Sequence, residues 1–124
     1  MDRLKIKKIN WISQEALEAE VVVTDGELEI MCFAQPLNYL EENELIEPIY
    51  CFNVSNLVKT EKSEYSIEKL DDNFAYRLIG KLIDKHDEKV KLGELLLELD
   101  NNLLPGDINE GDFISFCCQR LDIY

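Results

Sequence analysis

A single histidine and the absence of any Cys-x-x-Cys spacing leave the chain without the usual ligand set for zinc or a dithiol redox centre. The sequence also has no GxSxG, no HExxH and no phosphate-binding loop. The turn PGDINEG bears two glycines but is acidic, the wrong sign for cradling phosphate. No run approaches the roughly 20 apolar residues that cross a bilayer, and the basic start MDRLKIKKIN is not followed by a continuous apolar core. The expectation is a cytoplasmic protein with reduced thiols, no cofactor and no metal.

Basic residues are scarce. There are 13 Lys and Arg against 26 Asp and Glu, a net charge of -13 in 124 residues. Four of the basic groups, Arg3, Lys5, Lys7 and Lys8, crowd into the first eight positions, so the rest of the chain is more acidic still. Such a field repels phosphate backbones and anionic membranes and attracts basic proteins, more weakly as salt rises. Neither nucleic acid nor membrane is therefore expected as a partner.

Long amphipathic helices are absent too, whereas β patterning recurs throughout. In EALEAEVVVTDGELEIMCFA, Asp25-Gly26 is the dipeptide favoured by a two-residue type I′ hairpin turn. That turn would pair Leu17 with Ala34, Ala19 with Cys32, Val21 with Ile30 and Val23 with Leu28, all apolar. The opposite face would carry Glu18 with Phe33, Glu20 with Met31, Val22 with Glu29 and Thr24 with Glu27. RLKIKKINWI alternates and then changes face at Ile9 and Trp11, which predicts a bulge or a bend. IYCFNV, EYSIEKL, FAYRLIGKLID, KVKLGELLLELD and FISFCCQRLDIY read as further strands. FAYRLIGKLID, apolar on both faces, is expected to be central, with Gly80 at a bend. SNLVKTEK is open to a short helix, with Ser55 as its cap. Residues 94–99, helical by propensity alone, read instead as a strand because Leu95, Leu97 and Leu99 alternate after Gly93.

These features predict a single all-β domain over residues 1–124, a small antiparallel β-barrel or sandwich of about seven or eight strands with at most one short helix. The spacing of the strands and the ending GDINEGDFISF resemble those of small oligonucleotide-binding-type barrels. That resemblance covers the last third of the chain and identifies no particular family.

Adjacent strand residues face opposite ways, so Cys117 and Cys118 cannot jointly grip a metal or form a normal bridge. Cys32 and Cys51 also fall in strands, and all four cysteines read as structural. His86 in DKHDEK has carboxylates around it but sits in a turn where polar residues are expected. DNNLLPGD fails the calcium-loop pattern at Leu104 and Pro105. Glu20 and Glu29, diagonal neighbours in the expected register, are the remaining candidates for a carboxylate-dependent enzyme.

The same face gives a better candidate. Glu18, Glu20, Glu27 and Glu29 share it with Val22, Met31 and Phe33, a mixture of carboxylates and large apolar groups suited to a basic partner. The expected function is a non-catalytic protein-interaction module, with an inhibitor or immunity-type protein as its concrete form. The alternative is a β-barrel holding a small hydrophobic ligand.

Overall fold

The computed structural model describes residues 4–45, 48–70, 74–99 and 104–123. Its strands follow the alternation in the sequence. β2 (Glu18–Thr24) and β3 (Glu29–Ala34) turn Ala19, Val21, Val23, Ile30, Cys32 and Ala34 into the core, all buried. The faces are those expected from the sequence, but the register differs by two residues: Ala19 lies opposite Ala34, Val21 opposite Cys32 and Val23 opposite Ile30. The turn spans residues 25–28 because side chains shape it. Asp25 Oδ1 accepts from the amides of Glu27 (2.9 Å) and Leu28 (2.7 Å). The Thr24 hydroxyl donates to the Leu28 carbonyl and accepts from the Gly26 amide. A shift of two leaves the strand side chains on their original faces. Leu17 and Leu28, expected to pair inward with Ala34 and Val23, fall outside the strands, and Leu17 is exposed because the pairing stops short of it.

β1 (Lys5–Ser13) pairs with β2 and has bulges between Ile6 and Lys8 and between Trp11 and Ser13, so the expected irregularity is present. β4 (Ile49–Phe52) is followed by β5 (Ser55–Lys59), and SNLVK is therefore a strand where a short helix was open. Its pairing with the C-terminal segment overrides the weak local helical signal. β6 (Ser66–Lys69), β7 (Tyr76–Asp84), β8 (Lys89–Leu92) and β9 (Leu95–Leu99) come next. β10 (Phe113–Cys118) and β11 (Arg120–Ile123) end the chain.

All eleven strands belong to one sheet, in the order β1-β2-β3-β11-β4-β9-β8-β7-β10-β5, with β6 on β7. This corrects the expected count of seven or eight strands and the expected antiparallel barrel or sandwich. The β3–β11 and β4–β9 pairs are parallel. The end strands β1 and β5 do not pair with each other, so the sheet is not closed into a barrel. Among the described residues there is no helix, and hence none long and apolar enough to cross a membrane.

β7 is central, bonded to β6, β8 and β10. Its Leu78 and Leu82 meet Val90, Leu92, Leu95, Leu97, Ile114 and Phe116 in one buried cluster that also takes in the first hairpin. β10 and β11 are a single run broken at Gln119, whose amide donates to the Phe52 carbonyl (3.0 Å). That break lets one C-terminal segment serve β7 and β5 first, then β3 and β4.

Candidate functional site

The outer face of the first hairpin is built across β1, β2 and β3. Glu20 lies between Asn10 and Phe33, Val22 between Lys8 and Met31, and Glu18 opposite Ser13. Glu29, opposite Thr24, forms an ion pair with Lys7. Glu27 is exposed in the turn. Val22, Met31 and Phe33 are half-buried, as are Glu18 and Glu20. The Met31 amide donates to Tyr76 Oη (3.0 Å), which ties this face to β7.

Phe33 has company that the sequence did not announce. The Phe74 ring meets it edge-on at 5.7 Å, and the Arg120 guanidinium carbon lies 4.5 Å from its centroid and 5.0 Å from that of Phe52. Asp122 holds the guanidinium by two bonds, from Nε to Oδ1 (2.6 Å) and from Nη2 to Oδ2 (3.1 Å). Residues two apart on a strand share a face, which brings Arg120 and Asp122 together. The parallel pairing of Asp122 with Phe33 then sets both beside the hairpin. Phe33, Gln35, Arg120, Asp122 and Ile123 line a shallow recess of about 160 Å³ here. The Arg-x-Asp alternation was visible in the sequence, but its docking on Phe33 depends on a long-range parallel pair.

The register removes one chemical candidate. Glu20 faces Phe33 and Glu29 faces Thr24, so these acids are four residues apart along the ladder, about 13 Å at the usual strand rise. They are not diagonal neighbours and cannot share a substrate atom. His86 is exposed in the β7–β8 turn, where the Asp87 amide donates to Asp84 Oδ1 (3.0 Å). Residues 100–103 of the rejected calcium loop lie outside the described residues. Among the described residues no group of three His, Cys, Asp or Glu side chains is placed to hold a metal ion.

The perturbed groups serve the fold. Burial pushes the Asp25 carboxyl up, but the amides of Leu28, Glu94 and Glu27, and its own, outweigh this and hold it below the ordinary carboxylate value. Asp25 Oδ2 accepts from the Glu94 amide at 2.9 Å, joining the first hairpin turn to the β8–β9 turn. The Asn109 amide, opposed by partial burial and aided by Lys59 and Lys85, likewise lowers Asp112. Burial pushes the Tyr76 phenol up against the bond from Met31.

All four cysteines are buried thiols. Cys117 and Cys118 point to opposite faces, Cys117 meeting Asn56 Nδ2 at 3.9 Å and Cys118 entering the core. Burial, with help from Asp122 and Cys118, pushes the Cys32 thiol far up, so it carries no thiolate near neutrality. Native protein is therefore expected to react with an aromatic disulfide reagent only as fast as it opens, in step with denaturant. Rapid Cys32 labelling under native conditions, located by mass spectrometry, would contradict this placement.

The recesses between turns are lined largely by charged and polar groups. One of them, about 490 Å³, lies among Asp25, Glu27, Leu28, Tyr65, Lys91, Gly93 and Glu94. No protein family, curated protein or solved structure matches the chain.

Proposed function

We propose that the chain is a non-catalytic, cytoplasmic interaction module whose first-hairpin outer face receives a basic protein partner. The observation that carries this reading is the seat of Arg120. A guanidinium already rests on Phe33 with the Asp122 carboxylate along its edge, on a face that continues into Glu18, Glu20, Val22 and Met31. Arg120 fills that seat, so a partner's arginine or lysine would meet the Glu18 and Glu20 carboxylates beside Val22 and Met31 on the same face. The carboxylates steer encounter and the apolar groups anchor the complex. Neutralisation of a basic toxin is the concrete form, since an acidic inhibitor presents the field that a phosphate-binding enzyme expects.

Charge reversal is a cleaner test than truncation of Phe33, which supports Phe74 and Arg120. Titrated with an oligo-arginine peptide, Glu18→Lys with Glu20→Lys is expected to bind about tenfold more weakly than wild type at low salt, with the gap closing as salt rises. The comparison is Glu61→Lys with Glu64→Lys, which changes net charge equally at exposed positions elsewhere. Equal losses in the two double variants would show that net charge alone binds the peptide, and this face would lose its claim.

A further inference from the structure

β1 is an end strand with β2 as its ladder partner, and its outer side is only partly covered. Residues 37–45 run along it as a strap. The strap is tied at one end by the Leu37 amide, which donates to the Leu17 carbonyl (2.8 Å). At the other end, Glu42 N–H donates to Ile6 C=O (2.7 Å), Ile6 N–H to Asn43 C=O (2.8 Å) and Leu45 N–H to Leu4 C=O (2.8 Å). Between these ties a side chain takes one more group: Ile9 N–H donates to Glu41 Oε2 (3.2 Å).

That bond fixes which way the strand's backbone faces. In an antiparallel ladder the N–H and C=O of one residue point to the same side, and successive residues alternate. Ile9 points away from β2, so Asn10 points toward it and Trp11 away again. The register is unbroken from Ile9 opposite Val21 to Trp11 opposite Ala19, so the alternation carries through. Trp11 thus presents both main-chain groups at the margin of the sheet, on a stretch that the strap's described backbone bonds do not reach.

The side chains here are not those of a defended edge, which normally carries charge or proline. Trp11 is 43% exposed, Ile12 49%, Leu17 43% and Leu40 72%. Leu40 belongs with the other three because its segment lies between the tie to Leu17 and the tie to Ile9. An open strand edge and a cluster of exposed apolar side chains coincide at one corner.

We infer that the Ile9–Ile12 edge of β1 takes an extended, basic segment of a partner protein as an added strand. The segment exchanges main-chain bonds with Trp11, displaces the Glu41 carboxylate from the Ile9 amide, and sets apolar side chains against Trp11 and Ile12. Charge selects the occupant. Glu15 and Glu18 follow β1 on one side, and Glu41 lies on the strap, with Glu42 already paired to Lys5, whereas a second copy of this chain would bring another charge of -13. The inference rests on the reading that the partner is basic and adds a main-chain contact to it.

The test uses a fluorescein-labelled peptide alternating lysine and valine, and the same peptide N-methylated throughout, which keeps charge and side chains but cannot donate along an edge. Anisotropy gives affinity. Trp11, the sole tryptophan, reports the place of binding through its emission. The unmodified peptide is expected to bind and shift Trp11 emission to the blue, and the N-methylated peptide to bind at least about tenfold more weakly. Trp11→Pro is expected to match that loss while retaining the wild-type far-ultraviolet spectrum, because the lost N–H faces outward. Equal binding of both peptides with unmoved Trp11 emission overturns the edge and leaves the basic-partner reading standing. Failure of both peptides to bind at low salt overturns both.

Discussion

Asp25→Ala is expected to cost about 3 kcal/mol of stability at neutral pH, measured by urea unfolding. The carboxylate is buried and accepts three amides from two different turns: Glu27 and Leu28 through one oxygen, Glu94 through the other. Each bond to a charged acceptor is worth about 1.5–3 kcal/mol when buried, but Glu27 and Glu94 are exposed residues whose part-buried amides water can reach once the carboxylate is gone. The total therefore falls well below the sum of three such bonds, to about the strength of the Leu28 bond alone. The pH dependence follows from the direction of the shift. The folded carboxyl lies below its unfolded value of about 3.9, so its contribution is fully present above that pH and is lost as pH falls through the folded value. The gap between wild type and Asp25→Ala should be constant near neutrality and narrow in acid. Asp25→Asn should fall between them, since an amide retains one acceptor but turns N–H groups toward Glu94. A gap that stays the same down to about pH 2.5 would show that the carboxylate charge is not the source.

Asp25 also shows why part of the fold could be read from sequence and part could not. Alternation assigns Ala19, Val21, Val23, Ile30, Cys32 and Ala34 to the core whatever the turn length, provided the register moves by an even number. The dipeptide Asp-Gly names a turn, but it does not say that the aspartate side chain will reach the Leu28 amide and lengthen the loop. Leu95, Leu97 and Leu99 were similarly legible, and they are buried in β9 behind the two-residue Gly93-Glu94 turn. The parallel pairs β3–β11 and β4–β9 have no local signature, because each joins segments far apart in the chain by two or three residues. Open-sheet topology and strand count went unread for that reason. The candidate face was legible as a composition, with carboxylates beside Val22, Met31 and Phe33. Its cover, Arg120 and Phe74, comes from elsewhere in the chain and needed the fold to be seen.

Gly80 was expected to mark a bend, and the structure gives it a sharper role. It sits on β7 where that strand's neighbour changes from β6, which ends opposite Ile79, to β8, which begins opposite Lys81. On the other side it faces Ile114 of β10. A Cβ at this position would lie 2.5 Å from Val90 Cγ1 and 3.0 Å from the Lys91 carbonyl oxygen, both closer than contact distance. Gly80→Ala is therefore expected to destabilise the protein by about 2 kcal/mol, the scale of overpacking in a filled core. The strain is steric, since Gly80 is not among the residues with positive φ. Removing the closer obstacle should relieve part of it: Gly80→Ala combined with Val90→Ala should cost less than the two single variants together, by about 1 kcal/mol. Relief stays incomplete because the Lys91 carbonyl is backbone and cannot be cut away. Strict additivity in urea unfolding would mean that the Cβ does not meet Val90, and the close approach of β7 to β8 at Gly80 would have to be abandoned.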